Sequence, residues 1–218
     1  MMSGRDGLGM TSQRTRLRMV ELLRREGVTD ERVLGVMAEI PRHLFVDEGI
    51  ASRAYEDVAL PIGHGQTISS PSIVAHMTQL LLRKGSPDKV LEIGTGCGYQ
   101  TAVLAKLVKE VYTLERIAPL MDKARRNLRD LRFYNVRYKH ADGHAGYPEG
   151  GPYDGILMAA SATHVPEALK PQLAVGGRLV LPVGIEDQWL YVIDRTESGF
   201  TEQKCEPVRF VPLLPGLA

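Results

Sequence analysis

The run Val90-Leu91-Glu92-Ile93-Gly94-Thr95-Gly96-Cys97-Gly98-Tyr99 constrains this chain more than any other segment. A short apolar stretch, 89–93, leads into three glycines at alternate positions. After them Val103, Leu104, Leu107 and Val108 recur with helical spacing. That order predicts a strand, a tight turn and a helix. Glycines let the backbone turn sharply there and approach a ligand closely. The spacing is G-x-G-x-G, and Tyr99 stands where a dinucleotide fingerprint wants glycine or a small residue, which disfavours a nicotinamide oxidoreductase.

The pattern downstream repeats the unit. Residues 111–114, 136–139, 153–159 and 179–183 read as strands, and 188–194 and 206–211 as two more around a turn at Glu197-Ser198-Gly199. A helix bearing Ile117, Leu120, Met121, Ala124 and Leu128 follows the second strand, and a short helix is expected at 166–173. Strands alternating with helices imply an α/β fold, a Rossmann-like doubly wound sheet, mostly parallel with antiparallel C-terminal strands. Its ligand site is expected at the carboxyl edge.

Three acids end successive strands. Glu92 lies in the first strand just before the turn, where a carboxylate needs a partner. Glu115 ends the second, 21 positions after Gly94, placed to accept bonds from ribose hydroxyls. Asp142, in Ala141-Asp142-Gly143, is placed for an adenine amino group. Each could alone be a solvated strand-end carboxylate; three in succession point to a nucleoside ligand.

Upstream, Leu17, Val20 and Leu23 predict one face of a helix over 13–26 that stops at Gly27. Thr29 is the expected cap of the next, whose buried stripe is Val33, Val36, Met37 and Ile40, ended by Pro41. Residues 55–70 have neither helical nor strand period and read as a functional loop. Ser70-Pro71 then starts a helix carrying Ile73, Val74, Met77, Leu80 and Leu81.

Composition narrows the classes. With 27 basic against 26 acidic residues the net charge is +1, which argues against a strongly basic nucleic-acid binder or a polybasic membrane anchor. Two cysteines, no apolar secretory segment and no apolar run near the roughly 20 residues of a membrane helix fit a cytoplasmic protein. No histidine and cysteine spacing suggests a metal. Cys97, at a helix start, reads as a small residue beside the ligand, with a lowered thiol pKa as the alternative. The basic run from Lys123 to Arg129 reads as a solvated helix face.

The glycine loop, Glu115, Asp142-Gly143, the strand from Tyr153 to Leu157 and Gly176-Gly177-Arg178-Leu179 resemble, in order, the motifs of class I S-adenosylmethionine-dependent methyltransferases. Pro61-Ile62-Gly63-His64-Gly65-Gln66-Thr67-Ile68-Ser69-Ser70-Pro71 narrows the resemblance to the protein-L-isoaspartate O-methyltransferase family. Pro41-Arg42-His43-Leu44-Phe45-Val46, Leu181-Pro182-Val183-Gly184 and Arg209-Phe210-Val211-Pro212-Leu213 support it, so the likeness runs from about Leu17 to Leu214. The family often has Gln at position 70 and Ser at position 97.

The resemblance implies transfer of the S-adenosylmethionine methyl group to the free α-carboxylate of L-isoaspartyl residues in damaged proteins and peptides. S-adenosylhomocysteine is the other product, and repair proceeds through a succinimide. It places Ser69 as the catalytic contact to the acceptor carboxylate. Glu92, Gly94 and Gly96 are assigned to the methionine end of the cofactor, Glu115 to the ribose, Asp142 and Gly143 to the adenine. Ile62, His64, Ile68 and Ser69 are assigned to the substrate. The expected organisation is one methyltransferase domain over 1–218: a flexible tail (1–12), a helical appendage (13–54), a substrate loop (55–71) and a cofactor-binding core (72–218). A monomer is expected, without nucleic-acid, membrane or metal partners. The rivals are a class I methyltransferase acting on a small molecule or RNA, and a noncatalytic S-adenosylmethionine-binding module.

Overall fold

The computed structural model describes residues 9–83 and 85–218. Residues 1–8 of the expected tail lie outside the described residues, and Gly9–Thr11 form a 3-10 turn. Helix α1 (Gln13–Arg25) buries Arg16, Met19, Val20 and Leu23. Leu17 is 51% exposed, so the core-facing stripe is turned by about one residue from the expected one. Gly27 follows at φ +95°, the left-handed conformation that ends helices.

Helix α2 (Glu31–Glu39) is capped by Asp30, not Thr29: the Asp30 carboxylate accepts from the Arg32 backbone N–H at 2.9 Å. Thr29 is held elsewhere, its backbone N–H donating to Gln79 Oε1 at 2.7 Å. Of the expected stripe Val33, Met37 and Ile40 are buried and Val36 is half-buried, with Leu34 buried beside them.

The expected loop at 55–70 contains a hairpin. Strand β1 (Leu60–Gly63) pairs antiparallel with β2 (Gln66–Ile68), Leu60 opposite Ile68. His64 and Gly65 turn the chain at φ 55° and 67°. Positive φ at both central residues is what a two-residue hairpin of the mirror-image type needs. Strands of four and three residues are too short to show a period, and Gly63-His64-Gly65 was the available signal. Ser70 then caps helix α3 (Pro71–Leu82), accepting from the Ile73 N–H, with Pro71 at the first helical position.

The main sheet has seven strands in the order β5-β4-β3-β6-β7-β8-β9. They are β3 (Lys89–Ile93), β4 (Glu110–Glu115), β5 (Val136–His140), β6 (Tyr153–Met158), β7 (Leu173–Val183), β8 (Gln188–Thr196) and β9 (Gly199–Val208). The first five in sequence are parallel; β8 and β9 complete one side antiparallel. Helices α4 (Tyr99–Leu107) and α5 (Ala118–Asp130) cross between β3, β4 and β5. This is the expected Rossmann-like sheet with antiparallel C-terminal strands.

Strand parity sorts the core. Val90, Val111, Leu157 and Val180 join a cluster to which each helix from α1 to α5 contributes. Their neighbours Leu91, Ile156 and Leu179 face the other way and pack with Tyr153, Leu169 and Leu173. On that second side the chain between strands runs in 3-10 turns at Gly143–Ala145, Pro148–Gly150 and Lys170–Gln172. The helix expected at 166–173 is only the last of these, because Pro171 cannot donate the backbone bond that an extended helix there would need. Strand β7 starts earlier than expected and passes through Gly176 at φ +85°. Strand β9 occupies 199–208 rather than 206–211. It is a largely exposed edge strand, so its apolar residues show no alternation.

Candidate active site

Strand β3 delivers the glycine loop to the carboxyl edge of the sheet. Gly94, Gly96 and Gly98 stand at φ 95°, 55° and 90°. The loop is hooked to the next strand, Gly94 and Thr95 donating their N–H groups to the Leu114 carbonyl at 2.9 and 3.1 Å. Gly98 serves packing as well as turning: a Cβ there would stand 3.1 Å from Leu128 Cδ1 and 3.2 Å from Ala124 Cβ, on α5. Glycine at this position lets α4 and α5 approach.

Glu115 is the acid the structure places on the cleft wall. Its Oε2 accepts from the Gly96 N–H at 2.8 Å and its Oε1 from the Ile117 N–H at 3.0 Å. Two backbone donors therefore fix the carboxylate in a 6% exposed position. Each oxygen keeps a further lone pair for hydroxyl donors from a ligand.

The other two acids are not on the wall. Glu92, paired opposite Thr113 in the β3–β4 register, faces the helix-covered side of the sheet and is sealed beneath the loop. The hydroxyls of Thr101 and Thr113 both donate to its Oε2 at 2.5 Å, and Oε1 has no partner among the described residues. Burial pushes the carboxyl up to about 8 against the pull of those two hydroxyls. Thr113 also meets the Thr95 hydroxyl at 2.6 Å, which links this buried acid to the loop. Glu92 thus supports the loop from below and is absent from the cleft wall.

Asp142 caps its own turn. Oδ1 accepts from the His144 backbone N–H at 2.9 Å and Oδ2 from the Gly216 N–H at 2.6 Å. Burial alone would raise this carboxyl, but the two N–H bonds and His144 hold it below its ordinary value. Its neighbour Gly143 lines the cleft, where a Cβ would lie 2.4 Å from Ile93 Cγ2. Of the two residues expected at the adenine, Gly143 lies on the cleft wall, and Asp142, next to it, ties the turn to the C-terminal segment.

On the opposite side of the cleft, Ile68 and Ser69 lead from the hairpin into α3. A second, open groove begins there, bordered by Asp57–Ala59 on one side and Pro207–Val211 on the other. Ser69 and Thr67 carry the hydroxyls common to both cavities. Thr67 was not singled out from sequence; its exposed position opposite Pro61 in the hairpin register is the signal. Two expected substrate residues are not brought to the cleft. Ile62 is 3% exposed and packs under the glycine loop, 3.3 Å from the point where a Gly96 Cβ would sit. His64 stands exposed at the hairpin tip.

Cys97 lies on the cleft wall, and burial pushes its thiol up to about 11, opposite to an activated cysteine. One oriented carboxylate, apolar walls from Ile93 and Leu213 and the bare backbone of Gly143, packed against Ile93 where no side chain fits, suit a nucleoside-bearing ligand. The expected cofactor fits this set.

Comparison with known proteins agrees. The family model for protein-L-isoaspartate(D-aspartate) O-methyltransferase matches residues 14–217. A protein-L-isoaspartate O-methyltransferase of Dechloromonas aromatica is 59% identical over 211 residues, 96% of this chain and 98% of the relative. One from Nitrosomonas eutropha is 60% identical over 212 residues, 96% of each. Among solved structures, a protein-L-isoaspartate O-methyltransferase superposes with a TM-score of 0.83 at 31% identity, covering 93% of this chain and 67% of the other. A Plasmodium falciparum structure described as the same enzyme, in complex with S-adenosyl-L-homocysteine, gives 0.80 at 28% identity, covering 91% and 98%.

Proposed function

The chain belongs to the protein-L-isoaspartate O-methyltransferase family, and from that premise we propose that methyl transfer takes place where the glycine-loop cleft opens into the groove at Ser69. The protein is an S-adenosylmethionine-dependent protein carboxyl methyltransferase acting on L-isoaspartyl residues. S-adenosylmethionine supplies, when bound, an electrophilic methyl group on a positively charged sulfur.

The chain's own part is binding and alignment. The acceptor is a free α-carboxylate, with an ordinary pKa of roughly 3.3–3.7, so it is ionised at neutral pH and needs no general base. What remains is orientation of one oxygen along the methyl–sulfur axis. Ser69 Oγ donates a hydrogen bond to the carboxylate. The Gly94 and Gly96 backbone and the Glu115 carboxylate hold the cofactor's methionine and ribose, and Gly143 gives the flat wall for its base. Ile68 contributes an apolar edge near the acceptor. The groove between 57–59 and 207–211 receives the peptide on either side of the damaged residue.

The observation that carries this reading is the place of Ser69, a hydroxyl shared by the cleft and the groove. A monomer working in the cytoplasm on damaged proteins and peptides, and not on nucleic acid, fits the near-neutral charge and the two free cysteines. Among the described residues no helix is long and apolar enough to cross a membrane.

The test is radiolabelled methyl transfer to an isoaspartyl peptide, with the matched aspartyl peptide as control. Label is expected on the first only; equal label on both, or on neither, overturns the substrate. Ser69→Ala removes a hydrogen bond to a charged acceptor, about 1.5–3 kcal/mol, and is expected to lower kcat by roughly 10- to 100-fold. S-adenosylhomocysteine affinity is expected to stay within about threefold, a change of under 1 kcal/mol. Full activity in this variant removes Ser69 from its role.

A further inference from the structure

Arg42, in the 3-10 turn Arg42–Phe45, has no exposed surface and is absent from the cleft lining, yet it joins the two halves of the site. Its Nη2 donates to the Ser69 carbonyl at 2.7 Å and its Nε to the Ala54 carbonyl at 2.8 Å. Its guanidinium carbon lies 4.7 Å from the centroid of the Tyr99 ring. Tyr99 opens α4, immediately after the glycine loop, and is itself buried, with Phe45 edge-on at 5.4 Å. Nη1 and the Tyr99 hydroxyl each lack a partner at hydrogen-bonding geometry among the described residues.

Stability alone gives little reason for this arrangement. A buried cation without a paired carboxylate carries a large desolvation penalty, and an apolar side chain of similar volume would fill the space without it. Carbonyl bonds and the aromatic face offset part of that penalty. Only a planar fork can bind two carbonyls at one edge and lie against a ring at its face; a lysine ammonium cannot do both.

We propose that Arg42 is a positioning residue for methyl transfer, locking the Ser69 backbone against the Tyr99 ring and so fixing the Ser69 hydroxyl, the donor to the acceptor carboxylate, relative to the glycine loop. This inference rests on the assignment of Ser69. A misplacement of about an ångström suffices to cost a hundredfold in rate when alignment carries the reaction.

The test is a double-variant cycle on the full chain, with Arg42→Lys, Ser69→Ala and the combination. Each protein is measured for kcat and KM on an isoaspartyl peptide, S-adenosylhomocysteine affinity by calorimetry and thermal unfolding. Arg42→Lys is expected to fold, to bind S-adenosylhomocysteine within about threefold of the parent, and to lose roughly 10- to 100-fold in kcat. In the Ser69→Ala background the same change is expected to cost less than about threefold, because the hydroxyl it positions is gone. Losses that multiply in the double variant, affinity that falls in step with kcat, or failure of Arg42→Lys to fold would each overturn the proposal and leave Arg42 a structural residue. A Ser69→Ala variant at the parental rate condemns the Ser69 assignment instead, and is read separately from the Arg42 arm.

Discussion

Replacing Glu92 by glutamine is expected to reverse its effect on stability between pH 5 and pH 8. The folded carboxyl is raised to about 8, by burial first, with Glu115 adding to the shift and the Thr101 and Thr113 hydroxyls opposing it. In the unfolded chain the same group ionises near the ordinary glutamate value, about 4.3. Below that value both states hold the proton and the acid has no pH-dependent effect. Between the two values the unfolded state has released a proton that the folded state keeps, so unfolding becomes easier by about 1.4 kcal/mol for each unit of rising pH. The penalty approaches roughly 5 kcal/mol as pH nears the folded value, then levels off. Glutamine does not titrate. It keeps an oxygen for the two threonines but places amide donors where Oε1 already has no partner, a cost of about 1–3 kcal/mol. The two terms cross near pH 6: Glu92→Gln is expected to be the less stable protein at pH 5 and the more stable one at pH 8, by about 2 kcal/mol or more. Urea unfolding of both proteins at pH 5, 6, 7 and 8 measures the difference, in which every other titration cancels. A difference that changes by less than about 1 kcal/mol over that range would show that Glu92 is ionised in the fold and that the account of its burial is wrong.

Gly143→Ala is expected to weaken S-adenosylhomocysteine binding at least tenfold in calorimetry and to cost about 1–3 kcal/mol in thermal unfolding, because the new methyl meets Ile93 Cγ2 at 2.4 Å; parental values for both contradict the assigned wall. Glu115→Gln keeps the shape of the side chain but turns an amide toward one of the two N–H groups that the carboxylate now accepts. An unsatisfied donor pair costs about 1–3 kcal/mol, so calorimetric affinity for S-adenosylhomocysteine is expected to drop roughly tenfold or more, and unchanged affinity removes Glu115 from the ribose.

The sheet was legible because its inner strands are short and rich in apolar residues and the turn after β3 carries three glycines at positive φ. Lys89–Ile93 begins and ends where the sequence places it. The misplacements share a cause: short or exposed elements bury too little for burial to print a period on them. The hairpin at 60–68 shows only its turn residues, and β9 shows almost nothing because one side of it is solvent. Leu17 misled for the complementary reason. An arginine, Arg16, takes a buried position by donating from Nη1 to the Glu39 carbonyl at 2.9 Å, and the leucine beside it is left outside. Hydrophobic spacing cannot anticipate a cation that finds a carbonyl. Arg42 is visible in the sequence only as part of a motif; its burial between the carbonyls of Ala54 and Ser69 is hidden for the same reason.

The three acids show where a motif stops and geometry begins. All three sit at strand ends, and on sequence position alone they form one ligand-binding set. Depth along the strands separates Glu92 from Glu115: both lie on the face that the helices cover, but Glu92 pairs with Thr113 inside the sheet and is sealed there, whereas Glu115 lies two residues further on, at the strand's end. Asp142 lies beyond the end of β5, free of parity, and the nearest unmet donors are the N–H groups of its own turn and of Gly216. Glu115 ends β4 beside the loop, where Gly96 and Ile117 offer donors on the cleft side. One acid therefore lies on the cleft wall while the other two stiffen the loops that surround it. Such a division suits a reaction whose acceptor arrives already charged. No group has to gain or lose a proton at the moment of transfer, so the acids around the site serve by holding loops still: Glu115 accepts from Gly96 and Ile117, and Asp142 ties its own turn to Gly216.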